Sequence, residues 1–242
     1  KGVLEAVKKI RKAYPKLDII AGNVATGEAA LALVKSGALA IKVGIGPGSI
    51  CTTRIVSGVG VPQLSAVLSV YEVCKKFNIP VIADGGIKYS GDIVKALAVG
   101  ASCVMMGSFF AAAQEAPGKI VVLKHSQVPH RFQSIFKQDI DEYKFKEYRG
   151  MGSVAAMKTG AKIKSEDEYH GKSYKDRVLV AEGVEGLVPV RGNIRELVDQ
   201  AVGGVKSGMY YVGAKTLTEL SQKAKFIQIT QASLAESHPH DI

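Results

Sequence analysis

The feature that most constrains the fold is a repeated alternation of short apolar runs with segments of helical period. Four such runs are each followed by glycine or polar residues, and none shows the two-residue alternation of a half-buried strand. Runs of this kind are typical of parallel strands buried on both faces of a sheet. We therefore predict four strands, at residues 18–22, 39–43, 79–83 and 102–106.

Helical segments with recognisable ends separate these strands. Residues 26–37 are predicted as a helix because Thr26 can cap its first turn and Gly37 follows its last one. Residues 61–77 are predicted as a second helix, and Ser90 is predicted to cap a third. Four βα units favour a (β/α)₈ TIM barrel over a doubly wound sheet, and they place the chemistry at the carboxyl ends of the strands.

The rest of the chain departs from this rhythm. Residues 117–192 are polar, are rich in Lys, Tyr and Gly, and show no long apolar period, so we expect a functional lid there. Helices are predicted at residues 193–207 and 216–224, and a final strand at 226–229. Five strands are fewer than the eight of a barrel. We therefore interpret residues 1–242 as one partial barrel domain that lacks its N-terminal strands.

Composition limits the partners of the chain. Its net charge of +10, from 32 Lys and Arg against 22 Asp and Glu, leaves nucleic acid, an anionic membrane or a small anion as candidates. The basic runs at residues 8–12 and 75–76 fall on polar helix faces. They lack the interleaved aromatic residues of a groove that binds single-stranded nucleic acid. No apolar run approaches the roughly 20 residues that span a bilayer. Three cysteines indicate a reducing compartment, so we expect a cytoplasmic protein that binds neither nucleic acid nor membrane.

The glycine-rich segment at residues 44–53 follows the second predicted strand and contains Cys51. Its glycines let the backbone approach a ligand closely. The residues leave two interpretations of Cys51 open: a tightly packed turn residue, or a thiolate nucleophile activated by nearby amide dipoles. Cys74 and Cys103 fall on an apolar helix face and in a predicted buried strand, where a cysteine is expected to act as a small hydrophobic side chain.

Two further strand ends carry glycines suited to binding a phosphate. Asp84, Gly85 and Gly86 follow the third predicted strand, and Gly107 and Ser108 follow the fourth. Paired glycine amides at neighbouring barrel strands are a recurrent phosphate site, and an adjacent aspartate can bind ribose hydroxyls. Each motif alone is also compatible with a structural turn, but the two together favour a nucleotide. The sequence contains no dinucleotide fingerprint, P-loop or histidines at zinc-binding spacing.

These motifs resemble those of the IMP dehydrogenase/GMP reductase family. The resemblance extends over residues 1–242, is most specific in the segment that contains Cys51, and is closer to the dehydrogenases than to the reductases. The matching segments are residues 44–54, 58–63, 84–87, 148–153, 182–186 and 236–241.

The resemblance implies NAD-dependent oxidation of IMP to XMP in guanine nucleotide biosynthesis. Cys51 would attack C2 of the purine, a hydride would leave for NAD⁺, and water would hydrolyse the covalent thioimidate. The implied catalytic residues are Cys51, Thr53, Glu182 and Tyr169. The implied substrate-binding residues are Ser49, Asp84, Gly85, Gly86, Gly107, Ser108, Tyr148, Arg149, Gly150, Met151, Gly152 and Glu182. The implied cofactor-binding residues are Asn23, Gly44, Ile45 and Gly46.

The resemblance also implies a potassium ion and a homotetramer. The implied ligands are the carbonyl groups of Gly46, Gly48 and Cys51, together with Glu236, Ser237 and His238 of a neighbouring subunit. This gives the polar tail at residues 230–242 a role in binding the cation, and it makes residues 117–192 a mobile flap that replaces the departing cofactor.

Two positions depart from the dehydrogenase pattern. Dehydrogenases of this family carry an Arg-Tyr pair in the flap, and that arginine is the proposed base for hydrolysis. Here Glu168 precedes Tyr169, as in GMP reductases, which keeps NADPH-dependent reductive deamination of GMP to IMP as the alternative function. The stretch at residues 128–146 is longer than expected and has no assigned role. The regulatory CBS pair of the full-length enzymes and the Asp-rich loop for the NAD ribose are not part of this sequence.

Overall fold

A parallel sheet forms the centre of the computed structural model, which describes residues 2–129, 132, 142–160 and 180–239. Its four strands pair in the order β1-β2-β3-β4. They are β1 Ile20–Val24, β2 Ala40–Val43, β3 Val81–Asp84 and β4 Cys103–Met105. Each lies within two residues of its predicted position. The parallel βα units of a partial (β/α)₈ barrel are therefore confirmed.

The α-helices of the described residues lie between these strands or on either side of them in the chain. They are α1 Gly2–Ala13, α2 Gly27–Lys35, α3 Thr53–Ser57, α4 Gln63–Cys74, α5 Ser90–Ala98, α6 Ser108–Ala111, α7 Val154–Gly160, α8 Ile194–Val212, α9 Leu217–Lys223 and α10 Gln231–Glu236. Thr26 caps α2 as predicted. The predicted cap of α5 is wrong: Ser90 is already helical, and the Asp92 carboxylate accepts hydrogen bonds from the N–H groups of Lys88 and Tyr89. None of the helices in the described part of the chain is long and apolar enough to cross a membrane.

The two faces of the parallel sheet differ in what covers them. One face packs on α2, α4 and α5 through buried side chains that include Ile41, Val43 and Val81. The other face is open among the described residues, where Ile20 is 62% exposed and Cys103 is also exposed. The predicted burial of both faces, and of Cys103, is therefore wrong for this chain. Successive strand residues point to opposite sides, and the helices cover one side alone.

A second sheet lies within the segment at residues 117–192 that was predicted to be a lid without apolar period. Its antiparallel strands are β5 Ile120–Lys124, β6 Glu142–Arg149 and β7 Glu185–Pro189, with β6 in the middle. Tyr143 and Phe145 of β6 point into a small separate core. Sequence analysis missed these strands because it looked for long apolar periods, whereas β5 and β7 are short and β6 alternates aromatic with charged residues in its first half.

The C-terminal predictions are partly correct. Asn193 caps α8, which continues beyond the predicted end at residue 207 and stops where Gly213 adopts a left-handed conformation. Thr216 caps α9. The strand predicted at residues 226–229 is wrong: these residues have no regular structure and pair with neither described sheet.

Candidate active site

The carboxyl ends of β2 and β3 are tightly packed against each other. Gly44 follows β2 with φ +148°, and a Cβ at this position would collide with the carbonyl oxygen of Asp84. Gln63, at the start of α4, joins the two strand ends, because its Nε2 donates to the carbonyl oxygens of Val43 at 2.9 Å and Asp84 at 3.2 Å. This contact fixes the base of residues 44–53, which we call the cysteine loop.

Arg54 holds the cysteine loop in a compact turn. Its Nε donates to the carbonyl oxygen of Ile45 at 3.1 Å, and its Nη2 donates to that of Val61 at 2.6 Å. Its aliphatic stem fills the space next to Gly46 and Gly60, since a Cβ on Gly46 would lie 2.8 Å from Arg54 Cγ. The first half of the loop is therefore held in place although it contains neither helix nor strand.

Three of the predicted catalytic residues form one hydrogen-bonded chain. The thiol of Cys51 donates to Thr53 Oγ1 at 3.2 Å, and the hydroxyl of Thr53 donates to Glu182 Oε2 at 2.8 Å. A proton on the sulfur thus has a path through a hydroxyl to a carboxylate, which is how nucleophiles are activated in many enzymes. The geometry favours the nucleophile over the packed turn residue as the interpretation of Cys51.

Backbone hydrogen bonds hold Glu182 against the cysteine loop. The N–H of Thr52 donates to the carbonyl oxygen of Glu182 at 2.8 Å, and the N–H of Val184 donates to that of Ile50 at 2.9 Å. The N–H of Glu182 in turn donates to the carbonyl oxygen of Gly152 at 3.1 Å. Three chain segments therefore lie side by side, and the carboxylate of Glu182 is positioned by backbone contacts on both sides.

A small cavity beside the cysteine loop is lined by glycine backbone and hydroxyl groups. Tyr148 closes one side, and its Oη is so near Gly107 that a Cβ there would collide with it. Burial, and to a smaller extent the charge of Asp84, raises the pKa of Tyr148, so its phenol remains a hydrogen-bond donor at neutral pH. No acidic side chain of the described residues lines the cavity, which therefore suits an anion. The predicted residues that it brings together are Ser49, Gly85, Gly86, Gly107, Ser108 and Tyr148.

Asp84 lies in a charged cluster that sequence analysis missed. Its Oδ2 lies 2.9 Å from Lys42 Nζ and accepts a hydrogen bond of 2.9 Å from Asn23 Nδ2. The same Nδ2 donates to the carbonyl oxygen of Gly44 at 2.9 Å. Contacts with described residues occupy Oδ2 alone, so Oδ1 can accept from a ligand. The available signal was Lys42 itself, a charged residue within an otherwise apolar strand.

Other predicted residues lie apart from this cluster or outside the described residues. Arg149 is exposed and points to the opposite side of β6 from Tyr148, because neighbours along a strand alternate. The side chain of Met151 is 91% exposed next to the Gly150 turn. Tyr169 lies outside the residues that the structure describes, as does Glu168.

The predicted cation ligands of the tail lie at the end of α10. Ser237 Oγ donates to the carbonyl oxygen of Ser233 at 2.7 Å. The ring of His238 lies edge-on to that of Tyr89, with centroids 6.0 Å apart. Glu236 is the last residue of the helix. All three tail residues are exposed in the single chain and can reach a second molecule.

The three cysteines have different environments, and all are free thiols. Cys74 is fully buried in the core, and burial raises the pKa of its thiol. Cys103 is exposed on the open face of the parallel sheet. Cys51 is the one whose sulfur donates to a hydroxyl group within the described residues. The local geometry thus separates Cys51 from the other two.

Parallel βα units with a thiol and an anion cavity at the strand ends define a β/α-barrel protein with a candidate nucleophile beside an anion site. The family model of the IMP dehydrogenase / GMP reductase domain matches residues 1–240 of the chain. The chain belongs to this family.

Curated relatives support the same assignment. The chain is 48% identical over 240 residues to the inosine-5′-monophosphate dehydrogenase of Borreliella burgdorferi, which covers 99% of the chain and 54% of that protein. It is 51% identical over 246 residues to the protein of the same name from Methanocaldococcus jannaschii, covering 99% of the chain and 46% of that protein. The chain thus spans about half the length of the curated relatives it matches.

Proposed function

We propose that the protein oxidises IMP to XMP with NAD⁺, a step of guanine nucleotide synthesis. The observation that carries this proposal is the Cys51–Thr53–Glu182 chain of hydrogen bonds beside the anion cavity. The relatives described above are named dehydrogenases. The GMP reductase alternative, which Glu168 suggested, is therefore not favoured. The free thiols are compatible with a reducing compartment, so we place the reaction in the cytoplasm.

The cavity and its surroundings suit the parts of IMP in turn. The 5′-phosphate would accept hydrogen bonds from the hydroxyl groups and glycine amides that line the anion cavity. Asp84 Oδ1 would accept from the ribose hydroxyls, while Lys42 and Asn23 fix the orientation of that carboxylate. The purine would then extend toward Cys51, with Glu182 and the backbone of residues 150–152 beside it.

The residues present can carry both halves of the reaction. Attack of the Cys51 sulfur on C2 would form a C–S bond, and loss of the C2 hydrogen as hydride, for which NAD⁺ would be the acceptor, would leave a thioimidate on Cys51. The thiol proton passes through Thr53 to Glu182 and is the one net proton released. Water then attacks C2 and the C–S bond breaks, so water supplies the new oxygen of XMP and the proton that restores the thiol. The Thr53–Glu182 pair is positioned to assist this step where the family's flap arginine is replaced.

The residues proposed to face the nicotinamide include two glycines that present backbone without a side chain. Bound NAD⁺ would supply the hydride acceptor. Gly44 leaves no room for a side chain at the strand end, and Ile45 and Gly46 are half-buried. The carboxamide of Asn23 is engaged by Gly44 and Asp84. We therefore propose that Asn23 shapes the cofactor side of the site through these two contacts.

Potassium is proposed to bind the second half of the cysteine loop. The carbonyl oxygens of Gly46 and Cys51 accept no hydrogen bond from the described residues, and that of Gly48 accepts one from the Cys51 N–H at 3.1 Å. Carbonyl oxygens that accept no hydrogen bond can coordinate a potassium ion, so these loop residues fit the ion. The proposed ligands from a neighbouring subunit of a homotetramer are Glu236, Ser237 and His238.

The segment at residues 117–192 is proposed to act as a flap of one catalytic domain, with residues 230–242 as the cation-binding tail. Tyr148 and Glu182 both come from this segment and reach the site. Movement of the segment would therefore open or close the phosphate cavity and the proton path together.

Mass spectrometry of the protein treated with IMP and NAD⁺ tests the proposal directly. We expect an adduct of the purine nucleotide on Cys51, together with NADH and XMP in solution. Cys51→Ala should abolish the adduct and lower turnover at least about a thousandfold. It should leave the affinity for IMP within roughly tenfold, or about 1.4 kcal/mol.

Cys103→Ala is the matched control, because it removes an exposed thiol that has no contact with the cysteine loop among the described residues. It should turn over as the wild type does. A parallel assay with GMP and NADPH checks the opposite direction. NADPH consumption with release of ammonia, and no XMP from IMP, would overturn the proposed function.

A further inference from the structure

Lys146 is the one charged residue buried in the described part of the chain, with 3% of its surface exposed. It lies on β6, in the stretch to which sequence analysis could assign no role. Its ammonium group donates to the carbonyl oxygens of Gln114, at 2.7 Å, and Ala116. No carboxylate of the described residues forms an ion pair with it. A buried cation held by two backbone carbonyl groups is restricted to one position.

The carbonyl groups that hold Lys146 belong to the segment that also forms the anion cavity. Gly107 and Ser108 line the cavity at the start of α6, and this helix leads directly into residues 114–116. The far end of the segment is fixed to α8, since the carboxylate of Glu115 accepts from the N–H of Ile194 at 2.9 Å. The segment at residues 107–116 therefore has the cavity at one end and Lys146 at the other.

The same strand contacts both ends of this segment. Lys146 and Tyr148 are two residues apart on β6 and so point to the same side of it. The hydroxyl of Tyr148 lies against Gly107, while the ammonium of Lys146 binds the carbonyl groups after α6. The two contacts together set the distance between Tyr148 and the backbone of Gly107 and Ser108.

We propose that Lys146 is a positioning residue for the 5′-phosphate, a role that rests on the proposed function of the cavity. The lysine does not touch the phosphate. It holds β6 and residues 107–116 in register, so that the phenol of Tyr148 and the donors at Gly107 and Ser108 converge on one anion. Loss of the contact between Lys146 and the carbonyl groups of Gln114 and Ala116 should weaken binding of the phosphate group specifically. It should leave the thiol chemistry at Cys51 intact.

The test compares Lys146→Met with Lys146→Arg, and uses Lys144→Met as the matched control. Lys144 lies two residues earlier on the same side of β6 but is exposed. We expect K146M to raise the KM for IMP about tenfold or more while kcat changes less than about threefold. The affinity for inosine, which lacks the phosphate, should not change. K146R should restore most of the affinity for IMP, and K144M should behave as the wild type.

Titration calorimetry with IMP, inosine and inorganic phosphate decides between the outcomes. An unchanged affinity of K146M for IMP and phosphate, or equal losses for IMP and inosine, would overturn the proposal. Should K146M fail to fold in circular dichroism, K146Q, which keeps a neutral donor, replaces it under the same criteria. A wild type that binds phosphate but not IMP would refute the proposed function alone, and Lys146 is then judged on phosphate. A wild type that binds neither would refute both.

Discussion

The parallel and antiparallel sheets differ in the core that supports them and in what they contribute to the site. Among the described residues, seventeen buried side chains form the core cluster of the parallel sheet and its helices, whereas three form that of the antiparallel sheet. The parallel sheet presents backbone groups and Asp84 at its strand ends. The antiparallel sheet and its flanks present the side chains of Tyr148 and Glu182.

This difference teaches how the site combines rigidity with movement. Backbone donors for an anion need a fixed frame, which a large core supplies. Side chains that close over a substrate benefit from a region of lower local stability, and the smaller described core of the antiparallel sheet favours such a region. The candidate site lies where the two regions meet, so a change in either one should alter it in a distinct way.

The largest effect should come from Phe145→Ala, which removes a side chain that is 1% exposed in the small core. Such truncations cost about 3–5 kcal/mol. Because the antiparallel sheet has the smaller core among the described residues, we expect it to open locally while the parallel sheet remains folded. Hydrogen exchange should rise in β5, β6 and β7 and stay low in β1 to β4.

Leu33→Ala is the control for this comparison, since Leu33 is 2% exposed in the core of the parallel sheet. It should lower the free energy of unfolding by about 2–5 kcal/mol and affect both sheets. Equal hydrogen exchange throughout the F145A variant would show that the two regions unfold as one unit.

The second effect is expected at the hydrogen bond between Thr53 and Glu182, which joins the two regions beside the Cys51 thiol. Glu182→Gln removes the carboxylate that accepts from Thr53, and hydrogen bonds to charged groups contribute roughly 1.5–3 kcal/mol. We expect kcat to fall by roughly tenfold to a hundredfold, with a smaller change in IMP affinity. Steady-state kinetics measures both. Glu185→Gln is the control, because Glu185 is exposed and accepts only from the N–H of Ala155 among the described residues. An E182Q variant with unchanged kcat would remove Glu182 from the proton path.

The parallel sheet could be predicted from sequence, and the antiparallel sheet could not. The ends of α2 follow from local chemistry, in which a Thr26 side chain caps one end and Gly37 allows the turn at the other. The apolar runs of β1 to β4 could be recognised because glycine or polar residues follow each run and helical segments separate them. The first half of β6 instead alternates aromatic with charged residues, a period of two that a search for continuous apolar runs does not detect.

The candidate site divides in the same way. Strand-end residues such as Asp84 and Gly107 could be located because parallel strands end at one edge of a sheet. The pairing of Lys42 with Asp84, the clamp formed by Arg54 and the exposure of Arg149 depend on side-chain direction and on long-range packing. The spacing of motifs along the chain carries no information about these.

A third and smaller effect is expected at the contact between Gly107 and Tyr148. Gly107→Ala places a Cβ against the phenolic oxygen, and overpacking of this kind costs about 1–3 kcal/mol. The affinity for IMP should fall accordingly, as measured by calorimetry. The ring carbon Cζ would lie 3.5 Å from the new Cβ, so removal of the hydroxyl relieves the clash. The double variant G107A/Y148F should therefore bind better than the sum of its single changes predicts. If the losses of IMP affinity in the two single variants simply add in the double variant, Gly107 and Tyr148 do not interact in the site.

The smallest effect is the titration of Tyr148, which reports how closely the two regions approach each other. Its pKa is raised first by burial and second by the charge of Asp84. A raised pKa of a phenol stabilises the fold below the ordinary value near 10, and this contribution is lost as the pH rises through the folded-state value. The difference in absorbance at alkaline pH between the wild type and Y148F should therefore show a phenol that ionises above its usual range. Asp84→Asn should lower this pKa by the smaller part of the shift, because burial remains. A normal pKa in the wild type would mean that β6 does not seal the cavity in solution.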